Sequence, residues 1–255
     1  MTESKVSILG APMANVRHLS HAPITEALID IRVTLPKEAR TMECLAKLDT
    51  RFEESYPERK VISLVQYKVN PSSPETEEKI STQLGFRYAN ANGTQVIQAA
   101  LGGFTFSRLP PYEDWEKLRE EAKRTWDIYS DHVRPETITR VAARFINKLI
   151  LPGPVLDFDH YLCYVPKVPG VLPQTIGAFL SRIMVSDPQG ELTAIITQSF
   201  QPAPTEISVI LDIDVFRERA FADAREAWDV IDRLRGFKNL IFFDCITEKT
   251  VTLLT

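Results

Sequence analysis

The chain has 255 residues, 44% of them hydrophobic and 25% charged, with a net charge of −4 at neutral pH. That length suits one large domain or two modest ones and leaves ample apolar material for a core. The acidic balance argues against bulk attraction to polyphosphate, so nucleic acid is not an expected partner. Without a run of about 18 apolar residues, no membrane-spanning helix is expected either.

Residues 1–21 read as an N-terminal arm, lacking the cationic start and apolar centre of a signal peptide. Ile24–Leu35 (ITEALIDIRVTL) predicts a strand, with Ala27, Ile29, Ile31 and Val33 on one face and Glu26, Leu28, Asp30 and Arg32 on the other. Pro36–Tyr56 predicts a helix, because Met42, Leu45, Leu48 and Phe52 recur at three- and four-residue steps. Lys60–Val69 is a second predicted strand, and NPSSPETEEK at 70–79 a polar loop. Gln83–Ala89 and Gln95–Leu101 predict a hairpin across Asn90–Thr94, whose Gly93 is free to take positive φ. Gly102 and Gly103 predict a bulge or tight turn before a strand over Phe104–Leu109.

Pro110 and Pro111 open the longest predicted helix, reaching about Tyr129, with Trp115, Leu118, Ala122 and Trp126 on one packing stripe. Ile138–Leu151 is a long predicted strand. Beyond it, Phe158–Val165 reads as a strand, Gln174–Met184 as a short helix, and Leu192–Phe200 and Ile207–Phe216 as antiparallel strands. A helix is predicted over Ala222–Leu234, and residues 238–254 either continue it or form a last strand. The order predicts an α+β protein, an antiparallel curved sheet packed on helices. Residues 22–135 and 136–255 are the expected halves of one continuous domain. Their similar order suggests a diverged duplication with a topology like that of the TATA-box-binding protein, an analogy that carries no function.

The chemistry is sparse. Cys44, Cys163 and Cys245 are far apart in apolar surroundings, as free thiols of a reducing, cytoplasmic compartment would be. No metal-ligand spacing, phosphate loop or nucleophile elbow occurs, so no cofactor and no metal are expected. His160, beside Asp157 and Asp159, is the one hint of a hydrolase-type site. The sharpest polar pattern lies on strands. Period two puts Arg140, Arg144 and Lys148 on one face, and Glu26 and Asp30 together on the first strand. If those strands are neighbours, the charges pair across the ladder; on a concave, partly buried face they make an anion site. Arg108 follows Phe104 and Phe106 on one face. It either stacks with them on the bases of single-stranded nucleic acid, or caps or pairs with Glu113 or Asp114 while the rings face the core. Arg108, Arg140, Arg144, Lys148, Glu26 and Asp30 are therefore the candidate ligand-binding residues.

The segments HAPITEALIDI, GFTFSRLPPYEDWEKLREEAKRTWDIY, PETITRVAARFINKLILP and LRGFKNLIFFDCITEKT resemble a sporadically distributed bacterial family of similar length with no established activity. Where that family opens on Asn-Ala-Pro-Ile, this chain has His21 in the first position. Sporadic distribution implies horizontal transfer, as for antiphage defence genes and toxin–antitoxin pairs. The expectation is a non-enzymatic protein-binding or regulatory subunit whose partner is encoded nearby, with a dimer as an open oligomeric state. The alternatives are a small-ligand or nucleotide sensor using the cationic sheet face, and a hydrolase-type enzyme.

Overall fold

The computed structural model describes residues 17, 19–69, 77–153, 157–187, 189–201 and 206–255. In chain order they form β1 (Ile24–Thr34), α1 (Met42–Ala46), α2 (Asp49–Phe52), β2 (Glu58–Val69), β3 (Glu77–Ala89), β4 (Gln95–Ala100) and β5 (Gly103–Arg108). There follow α3 (Trp115–Val133), β6 (Thr137–Leu151), β7 (Phe179–Ser186), β8 (Thr193–Phe200), β9 (Ile207–Phe221), α4 (Ala224–Cys245) and α5 (Glu248–Leu253). The strands make a nine-stranded antiparallel sheet in the order β2-β3-β4-β5-β1-β6-β9-β8-β7, so the architecture is α+β. The chain divides into two compact units. Of the described residues, the α3 unit holds those within Leu28–Arg140 and Arg219–Ala224, and the α4 unit those up to Ala27 and within Val141–Glu218 and Arg225–Thr255.

In the α3 unit, Ile29, Ile31 and Val33 are buried while Arg32 is exposed, as their alternation predicts. Phe86, Tyr88, Ile97, Phe104 and Phe106 are buried on the same period, and α3 contributes Trp115, Leu118, Ala122, Trp126 and Tyr129. Phe104 packs against Trp126 and Tyr129 with ring centroids 5.8 and 5.7 Å apart, which seats α3 on β5. The helix begins later than Pro110. Asp114 is its N-cap, accepting from the Lys117 backbone N–H, and the prolines belong to the loop before it. Gly93 takes φ 70° in the β3–β4 hairpin, as its turn requires. Gly103 opens β5 where the backbones crowd: a Cβ there would lie 2.4 Å from the Ile31 carbonyl oxygen.

The single helix expected over Pro36–Tyr56 is broken into a 3-10 turn at Lys37–Ala39 followed by α1 and α2. Thr41 starts α1 by accepting from the Cys44 N–H, so a new helix begins inside the predicted one. The burial that produced the pattern survives in Leu45, Leu48 and Phe52. β3 starts at Glu77, inside the segment expected to be loop, and residues 70–76 lie outside the described residues.

In the α4 unit, Val141, Ala143, Phe145, Leu149 and Leu151 of β6 are buried together with Val209, Leu211, Ile213 and Val215 of β9. Ala194, Ile196 and Phe200 of β8 and Trp228, Ile231, Leu234 and Phe242 of α4 are buried as well. The Lys238 ammonium lies 4.0 Å from the centroid of the Phe145 ring, which sets α4 on this side of β6. Two expected elements are corrected. The strand expected at Phe158–Val165 is a 3-10 turn over Phe158–His160, closed by Asp157 accepting from the Asp159 N–H, and then a single bridge from Leu162 to Ile246. The helix expected at Gln174–Met184 is replaced by β7, whose residues 179–186 pair one for one with β8. Of the two readings at the C-terminus the helix is correct: α4 runs to Cys245, and α5 follows behind a Thr247 cap. No helix among the described residues is long and apolar enough to cross a membrane.

Candidate functional site

The six residues singled out in the sequence fall into separate settings. In the α3 unit Asp30, 8% exposed, accepts from Arg140 Nη1 at 3.0 Å, from Arg32 Nε at 3.0 Å and from the Thr105 hydroxyl at 2.8 Å. A carboxylate this buried needs such partners, and here both of its oxygens are engaged. Arg108 lies on the opposite face of its strand from Thr105, with the buried Phe104 and Phe106. It donates to Glu113 at 2.7 Å, and Glu113 also binds Lys117. This is the pairing alternative of the two weighed for Arg108.

Beside Arg108 is a shallow cleft of about 240 Å³ whose lining includes Gln95, Phe106, Glu121 and Arg124. The Tyr56 hydroxyl donates to Glu121 at 2.5 Å, with Gln95 Oε1 3.0 Å away. Burial, reinforced by the Glu121 carboxylate, pushes the Tyr56 phenol far above its ordinary range. Burial alone would raise Glu121, but hydrogen bonds from Arg124 and Tyr56 together hold its carboxyl below the usual value. Each cation of the cleft is thus held by a carboxylate, Arg108 and Lys117 by Glu113 and Arg124 by Glu121.

In the α4 unit Arg144 grips Asp212 through two parallel bonds, Nε to Oδ1 at 2.8 Å and Nη2 to Oδ2 at 2.6 Å. That bidentate bond, with further help from Asp214 and Glu26, raises the Arg144 guanidinium pKa. Lys148 pairs with Glu206. The sequence pattern located the cations of β6; of them Arg140 meets Asp30 of β1, while the ion pairs of Arg144 and Lys148 lie elsewhere. Their direct partners are Asp212 of β9 and Glu206 just before it.

The remaining candidates do not assemble. Asp157 accepts from a backbone N–H and Asp159 binds Lys167, and among the described residues neither bonds to the His160 ring. His132 Nε2 donates to the Cys44 carbonyl at 2.7 Å, with Cys44 Sγ 3.7 Å away. That nitrogen therefore carries a proton and cannot deprotonate the thiol. Partial burial pushes the thiol of Cys163 up to about 11 and that of Cys245 up to about 12, which disfavours the reactive thiolate at both. Among the described residues no group of three or more His, Cys, Asp or Glu is placed to hold a metal ion.

What the sequence missed is the outer edge of β7. This eight-residue strand ends the sheet order, and Phe158, Phe179 and Phe200 pin its start with ring centroids 4.9 to 6.1 Å apart. Leu180, Arg182 and Met184 alternate on one face, with Leu180 73% and Met184 66% exposed. Their partners on β8 are Ser199, Thr197 and Ile195. The opposite edge, β2, opens on Glu58, Arg59 and Lys60, and its pairing with β3 shifts register at Ile62–Ser63. Charges and bulges are the usual protection of an edge strand, and β7 has one cation and no bulge. The signal available in the sequence was the alternation of Leu180, Arg182 and Met184 with Ser181, Ile183 and Val185.

No protein-family model matches the chain, and no curated protein matches it.

Proposed function

We propose that this chain is a protein-binding subunit that receives an extended segment of its partner along the outer edge of β7. The observation that carries this reading is the difference between the two ends of the sheet order: β2 exposes Val61, Leu64 and Val65 but opens on three charged residues and breaks register at Ile62–Ser63, whereas β7 keeps an unbroken register, has a single cation and exposes Leu180 and Met184 more fully. Strand addition supplies affinity through main-chain hydrogen bonds and selectivity through alternate side chains, and a pinned edge that no other strand among the described residues pairs with suits it. The family resemblance adds that the partner is encoded nearby, in a toxin–antitoxin or antiphage setting. An anion sensor is less well supported, because Arg108, Arg140, Arg144 and Lys148 each already hold a carboxylate.

The test is co-expression with the flanking genes, followed by native mass spectrometry. The unmodified chain should retain a neighbour-encoded protein, and Ile183→Pro, which disrupts the edge, should lose it. A complex that survives Ile183→Pro in a folded chain would refute the reading.

A further inference from the structure

Resting on that reading, we propose that the segment received by β7 carries a carboxylate opposite Arg182, flanked two residues away on each side by apolar side chains against Leu180 and Met184. Charge bookkeeping on this face of the α4 unit supports it. Arg144 holds Asp212 and Lys148 holds Glu206. Arg182, in the same cross-strand row, faces only the neutral Thr197, and Thr197 in turn faces the Asp212 already gripped by Arg144. No carboxylate is paired with Arg182 among the described residues, so the strand face offers one unanswered cation between two exposed apolar side chains. A strand laid alongside would place every second side chain over this row, and opposite charges directly across a ladder attract.

The same feature disfavours a second copy of this chain as the occupant. β7 reads FLSRIMVS and contains no acidic residue, so two β7 edges would leave Arg182 without a carboxylate in any register. The pattern required is apolar, any, acidic, any, apolar in an extended segment of another protein.

Two fluorescein-labelled nine-residue peptides of alternating valine and threonine test this, one with aspartate and one with lysine at the centre. Binding is read by fluorescence anisotropy against the full chain at low salt. The aspartate peptide should bind about tenfold tighter, from an attractive pair replacing a repulsive one. The preference should vanish in Arg182→Gln and invert in Arg182→Glu, with circular dichroism spectra and melting temperatures unchanged. Equal binding of both peptides, lost together in Ile183→Pro, would overturn the charge rule and leave strand addition standing. Binding of neither would overturn both. A concentration-dependent dimer that Arg182→Glu leaves intact and Ile183→Pro abolishes would make the occupant a second copy and overturn the proposal.

Discussion

Lys238 is a cation placed against the grain of its surroundings. Its ammonium lies over the Phe145 ring without a carboxylate partner among the described residues, and burial, with the like charge of Arg235, lowers its pKa to about 8 from 10.5. Because the folded pKa lies below the unfolded one, the folded chain binds fewer protons between those values. Its penalty is full below pH 8 and is relieved as pH rises towards 10.5. Lys238→Met keeps the stem and removes the charge. Allowing for the lost cation–π contact, it should stabilise the chain by roughly 1–2 kcal/mol at pH 7. Urea unfolding at pH 7 and pH 10 checks this: the midpoint gain should be present at the first and largely gone at the second. Equal midpoints at pH 7 would mean that the ammonium is better solvated than its position implies. Asp30 shows the opposite case, a buried charge whose acceptors are all engaged, which fits its use as a structural tie.

At the scale of elements, the Gly-Gly pair at the start of β5 separates two roles that look alike in sequence. A Cβ on Gly103 would meet the Ile31–Arg32 peptide of β1, 2.4 Å from the Ile31 oxygen and 3.0 Å from the Arg32 Cα, whereas one on Gly102 meets nothing within 4 Å. Backbone atoms cannot rotate aside, so Gly103→Ala should cost about 2 kcal/mol or more, and Gly102→Ala about 0.5 kcal/mol or less. Denaturant midpoints of the two single variants decide it, and similar losses would contradict the close approach. The period of the sequence was enough to place β1, β6 and α3, since each has one clearly buried face. It was not enough for 174–184. There Ile176, Phe179, Leu180 and Ile183 recur at helical steps, yet pairing with β8 decides the outcome, and local pattern is blind to partners distant in sequence. The candidate site suffered from that same error. The cations of β6 were legible because period two aligns them, but their carboxylates lie some sixty residues away on and before β9, and Arg182 was hidden in a presumed helix.

For the molecule as a whole, the unguarded edge should govern behaviour in solution more than stability. Leu180 and Met184 are already exposed to water in the folded chain, so replacing them removes little burial, and the effect on folding should stay within about 0.5 kcal/mol. Their effect on association should be much larger, because an apolar edge is a template for any extended chain. The double variant Leu180→Lys, Met184→Lys adds two charges to a strand that now has one, giving β7 the kind of protection that β2 already has. It should unfold at the same urea concentration as the unmodified chain and stay in solution at higher ammonium sulfate. It should also lose any partner retained through β7. Light scattering at increasing concentration provides the decisive comparison. If the unmodified chain shows no more association than the double variant, and a neighbour-encoded partner still binds both, then this edge is exposed without being used. The docking surface would then have to be sought elsewhere on the protein.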